Sequence, residues 1–234
     1  MRHALYFTPA PVDPLTQAAE AWLGRSAFTG KATERIVPPG FSAEEFHALT
    51  RDPRRYGFHA TLVAPFRLRE ESTEADLMAA ADAFAEQTAP FSIPGLAITR
   101  IGNFFALTPT EARQVSALAS AAVDHFDGLR APLTEAEIAR RKPELLSERQ
   151  RLYLHRHAYP YVKEEFRFHL TLTGPVEASA AASVEAVLQD HFGPLLSSPV
   201  AVSAVALFTE AEPGADFIVR SIHRLGPSEA RKCA

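Results

Sequence analysis

Two short apolar stretches, "GFHATLVAPF" at 57–66 and "RFHLTLTGPV" at 167–176, carry a histidine followed two residues later by a threonine: His59 and Thr61, then His169 and Thr171. In an extended strand alternate side chains share a face, so each imidazole stands about 7 Å along the strand from its hydroxyl. At that separation both groups can reach oxygens of one tetrahedral anion, and phosphate fits the description. Two such pairs gripping it from opposite sides suit in-line displacement at phosphorus. That chemistry needs one group to take a proton from the nucleophile and another to give a proton to the leaving oxygen. Histidine, with an unperturbed pKa near 6.5, can fill either role at neutral pH.

A single His-x-Thr is a weak signal, and its recurrence is a stronger one. Phe58, His59, Thr61, Leu62 and Pro65 correspond to Phe168, His169, Thr171, Leu172 and Pro175 at a constant offset of 110 residues, which reads as an internal duplication. Packing could preserve the Phe, Leu and Pro of a duplicated core but gives no reason to preserve His and Thr. By strand parity Phe58, Ala60, Leu62 and Ala64 are the buried set of the first copy, and Gly57, His59, Thr61 and Val63 face the other way, with Gly57 leaving open space beside His59. In the second copy Phe166, Phe168, Leu170 and Leu172 are core, and Arg167, His169, Thr171 and Thr173 form the opposite face.

Candidate substrate-binding residues follow from the same geometry. Arg167 and Thr173 share the face of His169, Arg54, Arg55 and Tyr56 lead directly into the first motif, and Tyr6 lies on the strand face opposite Leu5 and Phe7. A guanidinium grips phosphate as a bidentate fork, so these arginines could hold a second phosphate. His3, His47, His125, His155, His157, His191 and His223 sit singly and read as surface or satisfied residues; His155 and His157, two apart on a helix, face apart. No HExxH, no carboxylate cluster and no phosphate-cradling glycine loop occurs in the sequence, so neither metal nor cofactor is expected.

The elements that must position these residues can be read along the chain. "RHALYFTP" alternates and stops at proline, a first strand. "PLTQAAEAWLG" has proline at its start and Gly24 at its end, as helices do. "SAEEFHALT" opens with Ser42 and Glu45, a capping box on a short helix that delivers the chain to the first motif. "STEADLMAAADAFAEQTA" is a helix, and "FSIPGLAITRIG" with "NFFALTP" is a hairpin turning at Gly102-Asn103. "TEARQVSALASAAVDHF" is again helical. A basic segment with short helices broken at Pro132 and Pro143 follows, then the motif strand, the helix "ASAAASVEAVLQDHFG", and two strands, "VAVSAVALFTE" and "DFIVRSIHRL". The expected architecture is α+β: two pseudo-symmetric lobes of mainly antiparallel sheet flanking a cleft, helices outside. Lobe 1 covers about 1–126, the helical basic insertion about 127–163, and lobe 2 about 164–225.

Composition bounds the class. The 234 residues, 47% hydrophobic, suffice for a sizeable core. A net charge of −4 gives no global attraction for nucleic acid or anionic membrane. The exception is Gly128 to Lys163, where eight Lys/Arg stand against four Glu, a local net charge of +4. The one cysteine, Cys233, excludes an internal disulfide and a thiolate cluster, which is natural in a reducing compartment. With no signal-peptide pattern and no apolar run of about 18 residues, a cytoplasmic protein without membrane partners is expected. Oligomeric state is not legible.

These motifs, with "ALYFTPAP", "AWLGR", "YGFHATLVAPF" and "YPYVKEEFRFHLTLTGP", resemble the two-histidine (2H) phosphoesterase superfamily and, within it, a family of phosphonate-metabolism proteins, over nearly the whole chain. Two positions depart: Val63 stands where a basic residue is expected, and Ala158 where a glycine is expected before "YPYV". The resemblance implies the duplicated two-lobed 2H fold and metal-independent cleavage or transfer at a phosphodiester, with His59 and His169 as the acid/base pair and Thr61 and Thr171 binding phosphoryl oxygens. It points to a cyclic phosphodiesterase, a hydrolase of phosphoric diester bonds, acting on a small substrate such as a phosphoribosyl cyclic phosphate. Two alternatives stay open: a cyclic phosphodiesterase or ligase of RNA ends, against which the acidic net charge speaks, and a non-catalytic module that binds a phosphorylated metabolite.

Overall fold

The structure is a computed structural model in which residues 1–227 are described; Cys233 lies outside the described residues. The chain is of mixed α and β type, and every strand pairing is antiparallel. In chain order the elements are β1 (Arg2–Phe7), α1 (Pro14–Leu23), α2 (Ala43–Tyr56), β2 (Ala60–Phe66), α3 (Glu74–Gln87), β3 (Phe91–Ile93), β4 (Leu96–Ile101), β5 (Phe104–Pro109) and α4 (Arg113–His125). They continue with α5 (Glu135–Ala139), α6 (Glu148–His157), β6 (Leu170–Thr171), α7 (Ala181–Leu196), β7 (Val200–Val202), β8 (Ala204–Glu210) and β9 (Phe217–Arg224).

The helix ends behave as their sequences dictate. Asp13 caps α1 by accepting the Leu15 N–H at 2.8 Å, and Gly24 closes it at φ 70°. Ser42 with Glu45 and Thr73 with Asp76 form reciprocal capping boxes on α2 and α3, each satisfying two backbone donors that a helix start leaves without intrahelical partners. The Gly102-Asn103 turn joins β4 to β5, with Gly102 at φ 59°.

The two larger sheets have the orders β2-β1-β8-β9 and β4-β5-β6, and β3 pairs β7 in a small third sheet. Each of them draws strands from both halves of the sequence. The hairpin after the first motif supplies the neighbours of the second motif strand, and the hairpin after the second motif completes the sheet of the first. The core is continuous across both, from Leu5, Phe7, Leu62 and Phe66 through Phe105 and Leu107 to Phe168, Leu170 and Leu172. Helix α4 packs on β2, α3 on β9, and α7 on β4 and α1. A smaller cluster of Ala4, Tyr6, Ala27, Ala206, Phe208 and Phe217 covers the other face of the four-stranded sheet.

Three local expectations need correction. Helix α2 does not stop near Thr50 but runs through Pro53 to Tyr56. Pro53 has no N–H to give the Leu49 carbonyl one turn back, and that carbonyl instead accepts the Gly174 N–H at 2.6 Å, tying α2 to the second motif. The second motif strand is shorter than its alternation suggests. The Leu172 and Thr173 N–H groups both approach the Phe105 carbonyl, at 2.9 and 3.3 Å, and two residues opposite one make a bulge that ends the regular ladder after Thr171. Finally, Val63 does not face the cleft. Leu5 pairs with Val63 while the next residue, Tyr6, pairs with Thr61, so the register skips at Leu62 and turns Val63, 1% exposed, into the core beside Leu5.

Candidate active site

The four motif residues sit at the half-buried edge of this core. The first motif is held by the turn that leaves α2. Gly57, at φ 77°, is in a region that L side chains avoid, and a Cβ on it would come within 2.4 Å of the Ala27 Cβ. The expected open space beside His59 is therefore absent: the glycine is needed because the backbone of Ala27 and its methyl press against it. Its carbonyl accepts the Nδ1–H of His59 at 2.9 Å. Nδ1 so engaged leaves Nε2 as the free nitrogen of a neutral ring, 3.3 Å from the Thr61 hydroxyl.

The second motif repeats the device. His169 Nδ1–H donates to the carbonyl of Arg167 at 2.7 Å, again two residues back, and again leaves Nε2 free. Trp22 of α1 fixes the strand from behind, donating its indole N–H to the Leu172 carbonyl at 2.9 Å. Phe7 and Phe168 meet beneath the two motifs with ring centroids 5.8 Å apart.

Two adjoining cavities receive these groups. One, of about 300 Å³, is lined by Tyr6, Tyr56, His59, Thr61, Thr171 and Thr173. The other, of about 470 Å³, is lined by Thr61, His169, Arg167, Gln150, Tyr159 and Tyr161. Thr61, Asn103 and Phe104 form part of the wall of both. His59 stacks on Tyr6 at 3.9 Å between centroids. Burial lowers its pKa to about 4 against the opposing pull of the Gly57 carbonyl, and the nearby His169 lowers it further. His59 is thus a neutral imidazole at pH 7, in proton-accepting form. Burial, with the phenols of Tyr56 and Tyr159 close by, pushes Tyr6 well above its ordinary range, so it stays protonated.

The remaining sequence candidates divide. Arg167 is exposed and lines the larger cavity, and among the described residues its guanidinium makes no ion pair. Tyr56 lines the smaller cavity with its ring 5.0 Å from Phe217. Arg55 points elsewhere: it pairs with the fully buried Glu210, which also holds Arg2, and donates to the Ala215 carbonyl at 3.1 Å. Arg54 lines neither cavity. Thr173 is 1% exposed and its hydroxyl accepts the Phe105 N–H at 2.9 Å, patching the bulged ladder.

Sequence reasoning missed part of the lining. Asn103 and Phe104 were legible only as a turn, although a hairpin tip beside a motif strand is where such a wall would stand. Gln150, Tyr159 and Tyr161 come from the basic segment; Gln150 donates to Glu165 at 2.9 Å and the Arg141 guanidinium lies 5.0 Å over the Tyr159 ring. Among the described residues no group of three or more His, Cys, Asp or Glu could hold a metal ion. No helix among them is long and apolar enough to cross a membrane.

Comparison with known proteins adds three findings. A protein named ribose 1,5-bisphosphate phosphokinase PhnN from Janthinobacterium sp. (strain Marseille) is 38% identical over 224 residues, covering 93% of this chain and 49% of its own length. One of the same name from Laribacter hongkongensis (strain HLHK9) is 36% identical over 219 residues, covering 93% of this chain and 50% of its own. The chain thus spans about half the length of the curated relatives it matches. Both are named as a kinase, which overturns the expectation of a cyclic phosphodiesterase hydrolysing phosphoric diester bonds. Among solved structures, that of TT0787 of Thermus thermophilus aligns over 97% of this chain and all of its own at 18% identity and a TM-score of 0.46. That likeness is too distant to carry a functional argument. A family model described as a protein of unknown function (DUF1045) matches residues 61–218, from Thr61 through the whole second motif, and the chain belongs to that family.

Proposed function

We propose that this chain binds a phosphorylated ribose, of the ribose 1,5-bisphosphate class in the relatives' names, and seats one phosphoryl group among His59, Thr61, His169 and Thr171. The observation that carries the reading is the repeated tie of each imidazole Nδ1–H to the carbonyl two residues back, which leaves each Nε2 clear of the backbone beside a shared wall, that of His59 within 3.3 Å of the Thr61 hydroxyl. His59, held neutral, is the group that accepts a proton from the attacking group, and His169 meets the same phosphoryl oxygens from the second motif. The threonine hydroxyls bind equatorial oxygens, and Arg167 takes a second phosphate of the same sugar. The sequence has no Gly-x4-Gly-Lys-Ser/Thr loop, so this chain handles the sugar phosphate and not a nucleotide cradled in that manner. The duplicated two-lobed 2H architecture, with its three-part division, belongs to the same proposal and is supported by the 110-residue offset. So does a role in phosphonate metabolism, which the sequence resemblance implies.

Because the chain spans half of its relatives, a second reading is that it only binds the metabolite and leaves transfer to other parts of such proteins. Titration with ribose 1,5-bisphosphate followed by calorimetry, and incubation with ribose 1,5-bisphosphate and a nucleoside triphosphate as phosphoryl donor followed by phosphorus NMR, test both. Thr61→Val and Thr171→Val should each weaken binding about tenfold or more, as for lost hydrogen bonds to a charged group. His59→Ala and His169→Ala should cost turnover about 10² to 10⁴-fold where transfer occurs. Four variants that bind and turn over like wild type would refute the site.

A further inference from the structure

The basic segment has one more feature that the cleft does not use. Arg130 and His157 from it, with Arg69 from the end of the first motif, line a separate cavity of about 350 Å³ together with Asp127, His155 and Arg156. Arg130 is buried, its side chain 5% exposed, while its ion-pair partner Asp127 is 49% exposed and the charge of Asp124 acts on it as well. Its guanidinium is held by the Asp127 carboxylate and by the His157 carbonyl at 2.6 Å, two of its five N–H donors. His157 is 4% exposed, and its Nδ1 is buried without a hydrogen-bond partner. Asp127 Oδ1 stands 3.6 Å from that nitrogen, too far to accept from it.

His157 Nδ1 is a buried polar atom left without a partner, and Arg130 is a buried cation whose partner carboxylate stands half in water; both cost free energy. The lining itself carries three guanidiniums against one carboxylate; of the flanking acids Glu71 pairs with Arg69 at 3.9 Å and Asp124 with Lys163, so the cavity keeps an excess of positive charge and of donors. We propose that this cavity is a second ligand site, for a small phosphate-bearing anion. A tetrahedral dianion suits donors that arrive from several directions, Arg69 and Arg156 at the rim and Arg130 and His157 at the floor, better than a planar carboxylate does. The site is distinct from the cleft, yet covalently next to it: Ala158, at φ 58°, lines this cavity and Tyr159 lines the larger chamber of the cleft. An occupant here bears on the turn that sets Tyr159.

The test uses inorganic phosphate and the intact chain carrying Thr61→Val, Thr171→Val and Arg167→Glu, the changes that remove the phosphate-binding groups of the cleft. Calorimetry should still find one phosphate bound per chain. Adding Arg156→Glu or Arg69→Glu should weaken that event about tenfold or more, the range for one charge-assisted hydrogen bond to a phosphate. Both arginines reach the surface, so these changes leave the fold intact, which circular dichroism checks. No phosphate bound in the Thr61→Val/Thr171→Val/Arg167→Glu background, or binding that neither added substitution alters, overturns the proposal.

Discussion

The state of His59 can be measured directly. Its pKa, lowered from 6.5 to about 4 chiefly by burial against Tyr6, means that the unfolded chain takes up a proton on this side chain well before the folded chain does. Stability from this residue is therefore fully present above pH 6.5, declines as pH falls through the window from 6.5 to about 4, and levels off below it. The two midpoints differ by roughly 2.5 decades, and at about 1.36 kcal/mol per decade the loss is about 3 kcal/mol, an upper figure because the ring is only half-buried. Other titrating groups blur a single curve, but they cancel in the difference between wild type and His59→Asn, whose amide can keep the bond to the Gly57 carbonyl. Urea melts from pH 7 to pH 4 should show wild type losing about 2 to 3 kcal/mol more than the variant. Nitrogen-detected NMR of the imidazole should place its midpoint near 4 and, with a phosphate ester bound, higher, since an anion favours the charged ring. A stability difference that stays flat with pH, or a midpoint near 6.5 in the free protein, would refute the idea that this histidine is held as a base.

Two further outcomes probe the backbone around the site. Gly57→Ala forces a methyl into left-handed backbone at φ 77° and against Ala27, and should cost more than about 2 kcal/mol; an unchanged melting temperature would show that the turn has room to relax. Ala158→Gly should have the opposite sign. It relieves about 1 to 2 kcal/mol of left-handed strain at φ 58° and returns part of that to unfolded-chain entropy, so a net gain of about 0.5 to 1 kcal/mol, read as a rise of a few degrees in melting temperature, is expected. A lower melting temperature would mean that the Ala158 methyl packs usefully.

The helix caps at Ser42 and Thr73, the turn at Gly102 and the buried set Phe58, Ala60 and Leu62 were legible because each is a local property of a few residues. Alternation also placed His59, Thr61, His169 and Thr171 at the half-buried edge of the core. It failed at Val63, where a bulge resets the parity, and bulges depend on what the partner strand does; Thr173 lines the cavity beside Thr171 but has its hydroxyl engaged by the Phe105 N–H. Arg55 was legible as a cation near the first motif but not as the partner of Glu210, which lies 155 residues away in sequence. The same limit hid Gln150 and Tyr159: no local pattern says where a long segment comes back to rest. The helix end at Ala158 is the reverse case, a position where glycine is expected and a left-handed cap is found on alanine.

The interleaving of the sheets has a consequence for how the chain acquires its shape. β1 lies between β2 and β8, and Arg2 is in register with Glu210, so one side of the N-terminal strand stays unsatisfied until 208 further residues have been made. A ribosome-bound chain can close the β4–β5 hairpin early, but it cannot finish the four-stranded sheet before β8 and β9 have emerged. Neither half of the chain holds a complete sheet by itself, and separating them in the basic segment would leave two fragments with open strand edges rather than two small proteins.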